Sequence, residues 1–168
     1  MNNKEIFTKL YQENIDKVYR FIYLKVDNKD IAEDLTADLF SNIWKNIIQK
    51  PDFIDKIDNI QAFLYKSAYN KVIDFYKLKK KEILTGEEID TITSAIIEPE
   101  QNQAIINIEM EEAKKLLDKL DKKYRDIIIL YYIEELSTKE IAQITGKSEV
   151  NIRVIISRGL KKLKEGNR

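Results

Sequence analysis

The stretch Ser137–Leu163, STKEIAQITGKSEVNIRVIISRGLKKL, reads as two short helices joined by a tight turn. Ser137 and Glu140 have the S-x-x-E spacing of a capping box, which satisfies free N–H groups at a helix start. Ile141, Ala142 and Ile144 give the first helix an apolar side. Gly146 falls where that helix must stop, and glycine takes the left-handed conformation there without steric cost. Ser148 suits the cap of the second helix. Ile152, Ile156, Leu160 and Leu163 recur at steps of four, four and three, which is one helical face. A small residue at 142, a glycine at 146 and a β-branched plug at 152 form the pattern of a helix-turn-helix. The opposite side of the second helix carries Asn151, Arg153, Ser157, Arg158, Lys161, Lys162 and Lys164, donors suited to phosphates and base edges.

Working outward, the 168 residues are enough for one ordinary domain or two small ones. With 43% hydrophobic residues the chain can bury a core, and only four glycines and two prolines interrupt it. Strand-like alternation is scarce, so the expected class is all-α. The absence of cysteine and histidine excludes disulfides, thiol catalysis and the common zinc sites. No cofactor, metal site or catalytic residue is expected. The N-terminal residues do not resemble a signal peptide, and no apolar run reaches membrane-spanning length. A cytoplasmic protein without membrane insertion is the expectation.

The formal net charge is zero, but the charge is segregated. Residues 65–81 hold six lysines and one aspartate, and residues 139–168 hold eight basic and three acidic residues. Residues 82–112 hold nine acidic residues and no basic one. Two basic helices separated by an acidic connector point towards nucleic acid.

Along the chain, residues 4–26 show helical periodicity, interrupted near Asn14, as one long helix or two short ones. Asp27 and Asn28 make a turn. Asp30 with Glu33 resembles a second capping box, and Ile31, Leu35, Leu39, Ile43 and Ile47 follow at steps of four. The outer face of this helix is acidic, with Glu33, Asp34 and Asp38. Residues 49–59, QKPDFIDKIDN, form a loop in which Phe53 and Ile54 either tuck under or line a pocket. Asp58 and Gln61 restart a helix with Ile60, Phe63, Leu64, Ala68 and Val72 on its buried side. Its other face carries Tyr65, Lys66, Tyr69, Asn70, Lys71, Tyr76 and Lys77, aromatics and lysines suited to stacking on bases and holding a backbone. Residues 83–103 read as an acidic linker, with isoleucines that suggest it lies on a surface. Helices resume near Gln103, and another spans about 122–135. The expected division is thus 1–82, a linker at 83–103, and 104–168.

Laid out in order, the chain resembles the extracytoplasmic-function sigma factors of bacterial RNA polymerase, within the sigma-70 superfamily. DIAEDLTADLFSNIW (30–44) looks like the family's acidic polymerase-docking helix. AFLYKSAYNKVIDFYKLKKK (62–81) looks like its promoter-melting, −10 element helix. Residues 117–163 look like the domain that reads the −35 element. The resemblance implies a promoter-specificity subunit rather than an enzyme, with core RNA polymerase and promoter DNA, duplex and single-stranded, as partners. Family members are commonly held by an anti-sigma factor, which becomes a further candidate partner. Asp34, Leu35 and Asp38 match polymerase-binding positions. Asn70, Lys71 and Lys77, with Phe53 in the loop that receives an extruded base, match −10 contacts. Asn151, Arg153, Ser157, Arg158 and Lys161 match −35 contacts. The family's recognition helix often reads T-V-K-S-R or similar; here Val154 and Ile155 replace polar residues, so the expectation is that both lie near DNA and touch thymine methyls or leave recognition to DNA shape. Tyr69 and Lys77 stand where arginine is frequent. Two other readings of the residues are a helix-turn-helix regulator that works without polymerase, and a helical protein-binding adaptor. The second basic helix argues against the first, and salt-sensitive DNA binding would argue against the second.

Overall fold

The computed structural model describes residues 1–85 and 103–166, with side chains over 1–84 and 110–166. The chain divides into two compact units, Met1–Ile97 and Glu98–Arg168. Every regular element among the described residues is helical. None of these helices is long and apolar enough to cross a membrane.

Among the described residues, the first unit contains three helices. α1 spans Asn3–Val26 without a break. Its start is a capping box not singled out in the sequence: Asn2 Oδ1 accepts from the Glu5 N–H at 2.9 Å, and Glu5 Oε2 accepts from the Asn2 N–H at 3.1 Å. Asn14 does not interrupt it. The Asn14 side chain is buried and donates to the Leu10 carbonyl at 2.8 Å, so the helix absorbs its polarity locally. Asp27 then takes the left-handed conformation, φ 53°, and ends the helix.

α2 spans Lys29–Gln49. Its cap is Asn28, whose Oδ1 accepts from the Ile31 N–H at 3.0 Å, so Asp30 lies inside the first turn rather than at the cap. There its charge complements the helix dipole. α3 spans Ile60–Thr85, and Asn59 rather than Asp58 caps it, through the Ala62 N–H at 3.0 Å. Helix therefore continues through residues 83–85, expected to be linker. Ile83 and Leu84 are 75% and 76% exposed, which does not fit the expectation that they lie on a surface. Residues 86–102 of the expected linker fall outside the described residues, and Gln103, its expected last residue, is already helical.

All three helices pack against one another. Val18, Phe21 and Ile22 from α1, Leu39, Phe40 and Ile43 from α2, and Leu64, Ala68 and Val72 from α3 are buried. The buried stripe of α2 is centred on Ala32, Thr36, Leu39, Phe40, Ile43 and Ile47. Ile31 and Leu35, expected within it, lie on its half-exposed edge. Aromatic rings extend the α1–α2 seam, with Phe7 5.1 Å from Trp44 and Tyr11 5.1 Å from Phe40.

The described residues of the second unit open with α4, Gln103–Leu117, followed by α5, Lys122–Ile128. α5 widens into a π-helical turn over Ile129–Ile133, closed by the Glu134 N–H donating to the Ile129 carbonyl at 3.0 Å. α6 spans Thr138–Thr145 and α7 spans Glu149–Gly166. α7 packs on both α5 and α6. Gly159 makes the α5–α7 approach possible: a Cβ there would lie 3.1 Å from Ile128 Cγ1. A Gly159→Val substitution is accordingly expected to lower stability by about 1–3 kcal/mol through overpacking. Denaturant unfolding of that variant, with an unchanged midpoint, would contradict this account of the interface.

Candidate nucleic-acid interface

The helix-turn-helix is assembled from local signals. Ser137 Oγ accepts from the Glu140 N–H and Glu140 Oε1 accepts from the Ser137 N–H, both at 3.1 Å, forming the capping box that starts α6. Gly146 ends α6 with φ 74°, its N–H donating to the Ala142 carbonyl at 2.9 Å. Ser148 Oγ accepts from the Asn151 N–H at 3.2 Å at the start of α7. Ile141 and Ile152 are fully buried and Ile144 nearly so, which closes the angle between the helices.

Burial of Ile152, Ile155, Ile156 and Gly159 sets which side of α7 faces outward. Asn151, Arg153, Ser157, Arg158 and Lys161 are all exposed, so the expected −35 residues share the solvent side of one helix. Arg153 Nη2 lies 3.1 Å from Glu149 Oε2, an exposed pair one turn apart that DNA phosphates can readily displace. Ile155 departs from expectation. It is 4% exposed and belongs to the core, because its direction on the helix is close to that of the buried Ile152 and Gly159, three residues before it and four after. Of the two apolar replacements only Val154, 39% exposed, is available to a ligand. Val150, which the expected set omits, is 68% exposed in the first turn.

On α3 the expected aromatic–lysine face separates into two. Tyr65 is 3% exposed, its ring edge-on to Phe21 at 5.7 Å, so it is core and cannot stack on a base. Tyr69 and Tyr76 are half-buried. Lys25, itself buried, places its ammonium 4.3 Å from the Tyr69 ring centre and 5.4 Å from that of Phe21. The Tyr76 hydroxyl donates to the Lys25 carbonyl at 2.7 Å. These tyrosines hold the end of α1. Sequence periodicity does not reveal Lys25, because a lysine in an apolar stripe reads as solvated until its aromatic partners are seen.

Asn70 and Lys77 are exposed on α3. Lys71 is half-buried and ion-paired with Asp38 of α2. One contact therefore joins an expected −10 residue to an expected polymerase-binding residue. Burial holds the Lys71 ammonium below the usual lysine value, with Asp74 acting in the opposite sense. Asp34 and Leu35 lie beside Asp38 on α2, both half-exposed. The acidity of this helix start is felt by Tyr19, whose phenol is pushed up to about 12 by burial and then by Glu33 and Asp30. Phe53 packs edge-on against Phe63 at 5.8 Å, so the loop 50–59 is folded back onto the start of α3.

Sequence comparison gives these surfaces a family. The family description "Sigma-70, region 4" matches residues 110–163, which include α6 and all but the last three residues of α7. The extracytoplasmic-function (ECF) RNA polymerase sigma factor SigW of Bacillus subtilis (strain 168) is 32% identical over 161 residues, covering 89% of this chain and 82% of SigW. SigM of the same organism is 29% identical over 156 residues, covering 92% of this chain and 91% of SigM. The solved structure of the sigma factor RpoE in complex with the anti-sigma factor NepR from Bartonella quintana shares the fold, with a TM-score of 0.72 at 23% identity over 96% of both chains. The chain belongs to the ECF family of RNA polymerase sigma factors. It is a transcription initiation factor.

The Asp38–Lys71 pair is partly open to solvent, which limits its worth. A double-mutant cycle with Asp38→Ala and Lys71→Ala is expected to give a coupling of roughly 0.5–1 kcal/mol in urea unfolding. A coupling near zero would show that the two side chains do not act as a pair in solution.

Proposed function

We propose that this sigma factor directs core RNA polymerase to its promoters by dividing the work between the two units. The exposed polar side of α7, set on a capped and plugged helix-turn-helix, is the observation that carries the reading. α7 enters the major groove of the −35 element, where Asn151, Arg153, Ser157, Arg158 and Lys161 supply donors to bases and phosphates. The second domain, 104–168, is thus the −35 reader. The first, 1–82, docks on polymerase through Asp34, Leu35 and Asp38 and holds the −10 region through Asn70, Lys71 and Lys77. Phe53 and its loop receive a base turned out of the duplex. The acidic segment 83–103 links the two domains within the polymerase complex.

The factor acts by binding and not by catalysis: affinity for the opened strand offsets the cost of unpairing. It works where polymerase works, in the bacterial cytoplasm. An anti-sigma factor is the proposed regulator, in keeping with the complex in which the structural neighbour RpoE of Bartonella quintana was solved with the anti-sigma factor NepR.

The pairing of Lys71 with Asp38 has a consequence for this scheme. Contact of Asp38 with a basic polymerase residue competes with Lys71, so docking would release the Lys71 ammonium towards DNA.

Two substitutions separate the domains. Arg158→Ala should weaken promoter duplex binding by about 1–3 kcal/mol while leaving assembly with core polymerase unchanged. Loss of both activities would contradict the division of labour. Asp34→Lys should sharply reduce co-purification with core polymerase, with circular dichroism of the variant showing that the helices remain folded. Undiminished assembly of Asp34→Lys would remove α2 as the docking helix.

A further inference from the structure

The outward side of α7 is not uniformly polar. At 3.6 residues per turn, the direction opposite Ile152, Ile155, Ile156 and Gly159 is occupied by Val150, Val154, Ser157 and Lys161. Arg153 lies to one side of this line, and Asn151 and Arg158 lie to the other. Two exposed valines one turn apart therefore occupy its N-terminal half, 68% and 39% exposed. Neither contributes to the core. Each is also a poorer helix former than alanine, because its branched Cβ restricts χ1. The fold alone gives no reason for valine at either position.

A helix lying in the major groove presents its centre line to base edges and its flanks to the two phosphate walls. The cationic flanks of α7 suit the walls. The central valines offer no hydrogen bond, and the apolar group on the floor of the major groove is the C5 methyl of thymine. We infer that Val150 and Val154 are specificity-determining residues that read thymine methyl groups in the −35 duplex. Their separation along the helix, about 6 Å, corresponds to roughly two base steps, so a pair of nearby thymines can be read together. The inference rests on the proposal that α7 enters the −35 major groove, and it names which of its residues carry base preference and for what chemical group. Arg153 and Arg158 then supply affinity with little sequence preference.

The test uses holoenzyme reconstituted from the full chain and core polymerase. A duplex library randomised over the −35 region is selected for binding, and each thymine in the winning site is then replaced singly by deoxyuridine, which removes only the methyl. The expected result is one or two positions at which replacement weakens binding, roughly fourfold for each methyl buried against valine. In the Val150→Ala, Val154→Ala variant, thymine and uracil should bind alike at those positions. Arg158→Ala should weaken both duplexes and keep their ratio. Both valines are exposed, so their replacement by alanine leaves the core intact. A selected site without thymine overturns the inference. So does indifference to uracil in the wild type, or a thymine preference that survives loss of both valines. Failure to select any −35 sequence would instead overturn the groove placement of α7, and the valine assignment with it.

Discussion

The rotational setting of α7 is the constraint on which the second unit depends. Gly159 lets the helix approach Ile128 closely, and Ile152 and Ile155 complete the buried side. A helix can bury only one side, so this contact also determines which residues are left facing outward. The proposed interface with nucleic acid is in this sense a by-product of core packing. A shift of one residue in the α5–α7 contact would turn α7 by about 100° and replace the outward line entirely. The capping box at Ser137 and the left-handed Gly146 restrict the same freedom from the other end, by limiting how α6 leads into α7.

The first unit is held differently. Its three helices share a core, but two polar contacts tie their ends and flanks. Asp38 and Lys71 join α2 to α3, and Lys25 is clasped by Phe21 and Tyr69 while its carbonyl receives the Tyr76 hydroxyl. A buried lysine is costly unless its charge is compensated, and aromatic faces supply part of that compensation. Its place in the last turn of α1 adds the favourable end of the helix dipole.

Helix existence, the all-α class and the helix-turn-helix are legible in the sequence because periodicity and capping are local properties. Ser137, Glu140, Gly146 and Ser148 occupy the roles that their spacing predicts. The misplacements share a cause. A strict step of four drifts by about 40° per turn against the real helix, so a stripe traced as 31, 35, 39, 43, 47 slides off the buried side, and Leu35 falls at its edge. Ile155 occupies a motif position that suggests DNA, although its direction on the helix belongs with Ile152. Asn28 caps where Asp30 is expected, because acidic residues favour both the cap and the first turn. Asn59 caps in place of Asp58, its neighbour, because both residue types make good caps. Tyr65 and Lys25 are illegible since their burial depends on partners from another helix.

The reassigned tyrosines alter the physics of the proposed −10 contact. With Tyr65 in the core and Tyr69 and Tyr76 engaged with Lys25, the exposed part of α3 is led by Lys66, Asn70 and Lys77, followed by Lys79, Lys80 and Lys81. Such a surface holds phosphates far better than it stacks on bases. Stacking specificity, on this reading, falls to the loop around Phe53, whose ring leans on Phe63 rather than on the lysine-bearing face. Charge would then supply most of the affinity for the opened strand, and charge is sensitive to salt while indifferent to sequence. Discrimination between promoters is thereby shifted towards α7 and the −35 element, where a rigid helix presents a short row of side chains in a defined order.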